Sequence, residues 1–198
     1  MSYILKEKEQ KILDASLNLF VDKGFHGTST AKIAENAGVA TGTLFHYFKT
    51  KEELINCLYL STKESMLNEI NDNYDNKKDI KENLKNLWLK SVKFCTKNPQ
   101  KFQFILIFQY SPYITSLTKK QIETQTECMI ETYIKGIEKH EIKEISFEFA
   151  MDYFWGNITS TVNYFRKHPN KGTSFGLRKS AKSANLRKNK KPSSLPRT

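Results

Sequence analysis

Residues 27–53 read GTSTAKIAENAGVATGTLFHYFKTKEE. Thr28, Ser29 and Thr30 form a hydroxyl cluster of the kind that caps a helix, because a side-chain oxygen satisfies an orphan backbone N–H. Ile33, Ala34 and Ala37 then share one face at helical spacing. Gly38 offers the left-handed conformation on which many helices stop, and Val39 closes the turn with an apolar contact. The next pattern, Thr41 to Tyr47, is too short to persist alone. Packing must hold it, with Leu44 and Phe48 facing inward at i, i+4, while Thr41, Thr43, Phe45, His46 and Tyr47 point outward or sideways. Thr50 and Glu53 form a capping box ahead of Leu54, Ile55 and Leu58.

Two short helices joined by a tight glycine turn make a helix-turn-helix, the unit that lays its second helix in the DNA major groove. The pattern therefore predicts a double-stranded DNA binder, with the rest of the chain left to regulate or dimerise it. The surrounding residues extend the pattern. An amphipathic first helix carries Ile12, Ala15, Leu19 and Phe20, followed by Gly24-Phe25-His26-Gly27-Thr28-Ser29.

On these residues, about 8–60, the chain resembles the TetR family of bacterial transcriptional regulators. A dozen positions agree in order and spacing, through Gly42-Thr43-Leu44-Phe45-His46-Tyr47-Phe48-Lys49-Thr50-Lys51-Glu52-Glu53-Leu54. Two positions depart. Ala40 stands where the family usually has a serine, and Phe45 where it usually has a tyrosine. The resemblance implies that Thr28 and Thr30 touch phosphates, that Thr41, Gly42, Thr43, Phe45 and His46 enter or line the groove, and that Tyr47 and Lys51 grip phosphates. Helix N-termini attract phosphate, glycine lets backbone approach DNA, and threonine or phenylalanine can meet a thymine methyl. Plainer roles stay open: Thr28 and Thr50 as simple caps, Phe45 as core, His46 as a structural histidine.

Residues 41–47 contain no Arg or Lys, so the commonest guanine contact is missing from the segment's centre. An A·T-leaning operator, read by methyl contacts and groove shape, is expected. Residues 1–51 hold seven lysines against five acids, so nonspecific attraction from this region should be modest.

The net charge of +11 is dominated by the tail. Residues 171–198 carry nine basic residues and no acid, and removing those nine leaves 23 basic against 21 acidic residues. Three of the nine are arginines, whereas Arg166 is the one arginine before them. This shift of habit suggests a frameshifted or vector-encoded end, the alternative being a natural basic arm. Either should be largely disordered for want of apolar residues.

No apolar run approaches the ~18–20 residues of a membrane helix, and Lys6-Glu7-Lys8-Glu9 interrupts any signal peptide. Cys57, Cys95 and Cys128 fit neither a zinc nor a disulfide pattern and read as buried thiols of a reducing cytoplasm. No P-loop, GxSxG or HExxH is present, and the four histidines (26, 46, 140, 168) are dispersed. Neither an enzyme, a cofactor nor a metal is expected.

The chain reads as all-α: a helix-turn-helix domain at 1–50, a helical ligand-binding and dimerisation domain at 51–168, and the tail at 169–198. A long helix is predicted over 51–71 and a loop over 71–79. A helix follows with Ile80, Leu84, Leu87, Trp88, Ser91 and Phe94, then one opening at Asn98-Pro99. Another opens at Ser111-Pro112 and reaches about His140, and a last one spans roughly 144–167.

That last helix carries a stripe of Phe147, Met151, Phe154, Ile158, Val162 and Phe165, with Phe149, Tyr153, Trp155 and Tyr164 on other faces. A helix apolar on several sides must be buried on several sides, either at the centre of one subunit's core or partly against a second copy. The resemblance implies a homodimer in which the last two helices of each subunit pack into a four-helix bundle, of which only one precedes the tail here. Two recognition helices related by a twofold axis would read a palindrome. The resemblance further implies induction by a small molecule between the middle helices. The ligand would be apolar or aromatic, a cation included. Trp88, Phe102, Phe108, Tyr133, Phe154 and Trp155 are pocket candidates, although aromatics at helical spacing are more often core. The competing reading is a helical sensor or interaction module with weak or no specific DNA binding; repressor and activator are not distinguished.

Overall fold

The computed structural model describes residues 7–71 and 79–169. Among these residues lie eight helices and no strand: α1 Glu7–Lys23, α2 Thr30–Ala37, α3 Thr41–Tyr47, α4 Lys51–Asn71, α5 Ile80–Lys97, α6 Pro99–Gln109, α7 Ser116–Glu138 and α8 Phe147–Lys167. The all-α reading holds. The expected loop and tail fall mostly outside the described residues.

Local chemistry sets most boundaries. Asp79 caps α5 by accepting from the backbone N–H groups of Lys81 and Glu82. Pro99 sits in the first turn of α6, where its missing N–H removes no helical bond. Ser146 caps α8 by accepting from the Phe149 N–H at 3.2 Å.

α7 starts later than Ser111-Pro112. The Asn56 Nδ2 donates to the Tyr113 carbonyl at 2.7 Å, which occupies the acceptor an earlier helix would use. Thr115 then caps Ser116 onward, accepting from the Thr118 N–H at 3.1 Å.

One apolar core runs through the molecule, from Ile12 and Phe20 of α1, through Leu54 and Ile55 of α4, to Phe102, Phe104 and Phe108 of α6 and Ile158 and Val162 of α8. α1 packs on both α2 and α6, while α5 packs on α8 and α4. α8 divides as a two-sided helix must. Ile158, Val162 and Phe165 face inward, whereas Phe149, Tyr153 and Tyr164 remain exposed. Phe147, Met151 and Phe154, the N-terminal half of the predicted stripe, are only half-buried.

Candidate nucleic-acid interface

α2 begins with Ser29, whose hydroxyl accepts from the Lys32 N–H at 3.2 Å. It ends at Gly38, with φ +67°. There the Gly38 N–H donates to the Glu35 carbonyl and the Val39 N–H to the Ala34 carbonyl, at 3.1 and 3.0 Å. These paired bonds form a Schellman stop, which needs the left-handed conformation that glycine adopts without a Cβ penalty. The turn thus has a fixed geometry.

α3 has seven residues and no side-chain cap, because Ala40 has no oxygen to offer. Its position comes from packing. Leu44 is fully buried and Phe48 nearly so, both in the core shared with Ile33, Ala34 and Ala37. Behind it, Thr50 accepts from the Glu53 N–H at 3.0 Å, while the Glu53 carboxylate accepts from the Lys49 N–H at 2.7 Å. The predicted capping box is present, with its return bond displaced by one residue to Lys49.

The outward side of α3 bears Thr41, Gly42, Phe45 and His46, all exposed. Phe45 keeps 40% of its surface accessible, which removes the core reading for that ring. His46 lies edge-on to Tyr47, with ring centroids 5.5 Å apart. Thr43, Tyr47 and Thr30 are half-buried. Tyr47 packs its ring against the core and has no hydrogen bond to its hydroxyl among the described residues. No atom lies within 4 Å of where a Cβ on Gly42 would stand, so the backbone there is open.

Two expected phosphate contacts look different in three dimensions. Thr28 is 1% exposed. Its hydroxyl lies 3.1 Å from the Leu19 carbonyl and 2.8 Å from the Gly24 carbonyl, donating into the end of α1. It fastens α1 to the start of α2 and offers nothing outward, so Thr28 leaves the set of contact candidates. The Lys51 ammonium donates to the Phe25 carbonyl, 26 residues back in the chain. Burial pushes its pKa below the ordinary lysine value. Lys51 is therefore first a strut between α4 and the α1–α2 turn.

Sequence reasoning passed over Lys49, which the structure puts beside α3 with its side chain exposed and without an ion pair among the described residues. Its place one residue before the Thr50 cap was the available signal. Lys32, by contrast, pairs with Glu35 at 2.9 Å.

The six aromatic pocket candidates do not converge. Phe102 and Phe108 are fully enclosed, with Phe108 stacked on Tyr59 at 3.9 Å and Phe102 edge-on to Trp155 at 6.4 Å. Trp155 donates its Nε1–H to Gln109 at 3.0 Å. Phe154 is half-buried against the core. Tyr133 lies apart, its ring against Phe147 and its hydroxyl bonded to the Ile145 carbonyl. Trp88 donates to Asn157 at 2.8 Å and, with Ser160, Thr161, Tyr164 and Phe165, lines an open groove of about 480 Å³ between α5 and α8.

Among the described residues no three His, Cys, Asp or Glu side chains are grouped to hold a metal, and no helix is long and apolar enough to cross a membrane. Cys57 is half-buried and Cys95 buried, both free thiols. The side chain of Cys128 lies outside the described residues.

Comparison with known proteins agrees with this geometry. Residues 12–58 match the family model described as bacterial regulatory proteins, tetR family. A tetR-family transcription regulator structure from Shewanella sp. PV-4 is 33% identical, over 87% of this chain and 92% of that one, with a TM-score of 0.79. The fatty acid metabolism regulator protein of Bacillus subtilis is 25% identical over 170 residues, 79% of this chain and 82% of its own length. The structure of the Bacillus subtilis transcriptional regulator FadR in complex with stearoyl-CoA shares the fold at TM-score 0.62 and 23% identity, covering 85% of this chain and 92% of that one.

Proposed function

The chain belongs to the TetR family of bacterial transcription regulators, and we propose that it acts as a ligand-responsive repressor reading a palindromic operator as a homodimer. The observation that carries this reading is α3: a seven-residue helix held by Leu44 and Phe48 while Thr41, Gly42, Phe45 and His46 remain open to solvent. A short helix that buries one face and bares rings and hydroxyls on the other suits insertion into a groove. Thr43 would line the groove with them, and Thr30, Tyr47, Lys49 and Lys51 would flank the helix on phosphates. Lys51 would have to give up or share its bond to the Phe25 carbonyl to do so. With no Arg or Lys within α3, contact to thymine methyls by Phe45 and the threonines favours A·T-rich half-sites.

Residues 1–50 would carry the DNA reading and 51–168 the ligand response and dimerisation. The exposed α8 face of Phe149, Tyr153 and Tyr164 supports a second copy as its cover. Two copies would set half-sites about 34–36 Å apart or a multiple of it. For the ligand, the similarity to a fatty acid metabolism regulator supports a long-chain acyl compound in place of a generic aromatic one. Such a ligand lowers operator affinity by its preference for one of two conformations. The protein would work in the cytoplasm, without catalysis.

The test is fluorescence anisotropy of the full chain against duplexes selected from a random pool. Recovery of a palindromic, A·T-rich site whose affinity falls steeply with salt is expected. Equal affinity for selected and random duplexes would overturn the regulator reading and leave a helical sensor. Sedimentation of Tyr153→Glu should show a monomer where the parent sediments as a dimer.

A further inference from the structure

Lys63 stands near the middle of α4, in the half of the molecule away from the DNA-reading helices. The lysines around it are accounted for. Lys101 donates to the Ser65 hydroxyl at 2.8 Å, Lys90 to the Ile70 carbonyl at 2.9 Å, and Lys97 lies 3.7 Å from Glu69. Lys63 has neither a hydrogen bond nor an ion pair among the described residues. Its ammonium lies over the Trp155 ring of α8, 5.5 Å from the centroid. Burial pushes its pKa below the ordinary value, with Cys95 acting weakly the other way.

Two further polar features lie on α8. The Thr159 hydroxyl, one turn beyond Trp155, is buried without a partner. The Trp155 Nε1–H is fixed by Gln109, and the Phe102 ring lies edge-on to it with centroids 6.4 Å apart. The half-buried Lys63 side chain has no counter-charge among the described residues, and a buried hydroxyl without a bond is costly. The aromatic contact partners the cation only in part. A ligand bringing an anionic oxygen would satisfy the ammonium. A cationic ligand would find the Trp155 face already occupied by the protein's own cation.

We propose that Lys63 is the anion-docking point of the regulatory site, receiving a carboxylate or phosphate oxygen of an amphipathic acyl ligand whose apolar part lies among the aromatic side chains around Trp155. This rests on the ligand-responsive reading above and names the chemistry of that ligand.

The test titrates the full chain with palmitate, hexadecanol and palmitoyl-CoA below their micelle concentrations, by calorimetry and tryptophan fluorescence. Wild-type protein should bind palmitate or palmitoyl-CoA at least about tenfold tighter than hexadecanol, a difference of about 1.4 kcal/mol. Lys63→Met, which keeps the aliphatic stem, should lose that preference and leave hexadecanol binding unchanged; Lys63→Arg should keep it. Loss confined to palmitate assigns the anion to a free carboxylate, and loss confined to palmitoyl-CoA assigns it to a phosphate of the head group. Either result supports the site. Equal binding of acid, thioester and alcohol by the wild type, anion binding by Lys63→Met at wild-type strength, or no binding of any probe overturns it. Operator affinity is measured in parallel without probe and should match between Lys63→Met and the parent. Failure of the parent to bind DNA counts against the regulator reading alone, because the acyl titrations do not depend on it.

Discussion

Gly42→Ala separates what α3 needs for folding from what it needs for reading DNA. Gly42 is the second residue of a seven-residue helix, and nothing lies within 4 Å of its added Cβ. Its φ does not fall in the left-handed region that strains an alanine. Within the protein the substitution can only help: alanine is favoured over helical glycine by roughly 0.5–1 kcal/mol, chiefly because the unfolded chain has less freedom to lose. For a chain of this size that raises the melting temperature by about 1–4 °C.

On DNA the sign reverses. If the first turn of α3 lies against the duplex, a methyl group in that contact costs about 1–3 kcal/mol, as an over-packed interface does. Two half-sites double the effect, so operator affinity should drop at least about tenfold. The assay pairs a melting curve with anisotropy on the selected operator. A variant that melts higher yet binds operator as tightly as the parent would refute the placement of this helix edge against the groove. A variant that melts lower would refute the claim that the surroundings of Gly42 are open.

Thr28→Val keeps the shape and removes the hydroxyl shared by the Leu19 and Gly24 carbonyls. A loss of about 1–3 kcal/mol in urea unfolding is expected, with an unchanged salt dependence of DNA binding; a slope reduced by about one unit at unchanged stability would restore Thr28 as a phosphate contact. Gly38→Ala meets no clash, so its expected loss of roughly 1–2 kcal/mol comes from the positive φ alone, read from the urea midpoint. Burial pushes the Cys57 thiol up to about 11 and the Cys95 thiol up to about 12, with Glu53 the next influence on Cys57. In a Cys128→Ser background, iodoacetamide at pH 7.5 should modify Cys57 roughly 100-fold more slowly in the native protein than in urea, as two pKa units imply. The same shifts mean that the unfolded chain releases thiol protons first as pH rises. Their contribution to stability is therefore intact below about pH 9 and is lost on climbing through 11 to 12, measurable as a falling urea midpoint.

What was legible in the sequence was what short-range chemistry decides. Gly38 marks a stop because only a few residue types tolerate its φ, and Leu44 with Phe48 marks the inward side of α3 because their spacing matches the helix repeat. The caps at Thr50, Asp79, Thr115 and Ser146 are local as well. What was not legible depends on distant groups. A threonine ahead of a helix looks the same whether its hydroxyl meets a phosphate or a carbonyl nine residues back, as in Thr28. Lys51 reads as a free cation until the Phe25 carbonyl comes beside it. The late start of α7 follows from Asn56, 57 residues before the carbonyl it captures. In α8 the aromatic residues are too many for periodicity to choose a face, and α5 makes the choice by covering Ile158 and Val162 while Tyr153 stays 70% exposed.

The same long-range contacts bear on how the two functions can communicate. Phe25, in the turn between α1 and α2, meets Phe20 at 5.2 Å, Tyr113 at 5.3 Å and Phe104 at 6.1 Å. Its carbonyl holds Lys51. Tyr113 in turn is held through its carbonyl by Asn56, whose Oδ1 accepts from the buried Thr118 hydroxyl at 2.6 Å. One aromatic residue thus joins the DNA-reading helices to α4, α6 and the start of α7. Packed rings do not deform gradually; they repack or stay. A change in the α6–α7 turn that moved Tyr113 by an ångström would leave a gap beside Phe25 or push it. Under the proposed function, either response would tilt α1 and α2 relative to α4 and so alter the separation of the two recognition helices of a dimer. The core itself crosses residues 50 and 51, so under the proposed function no flexible hinge there is needed to connect ligand and operator.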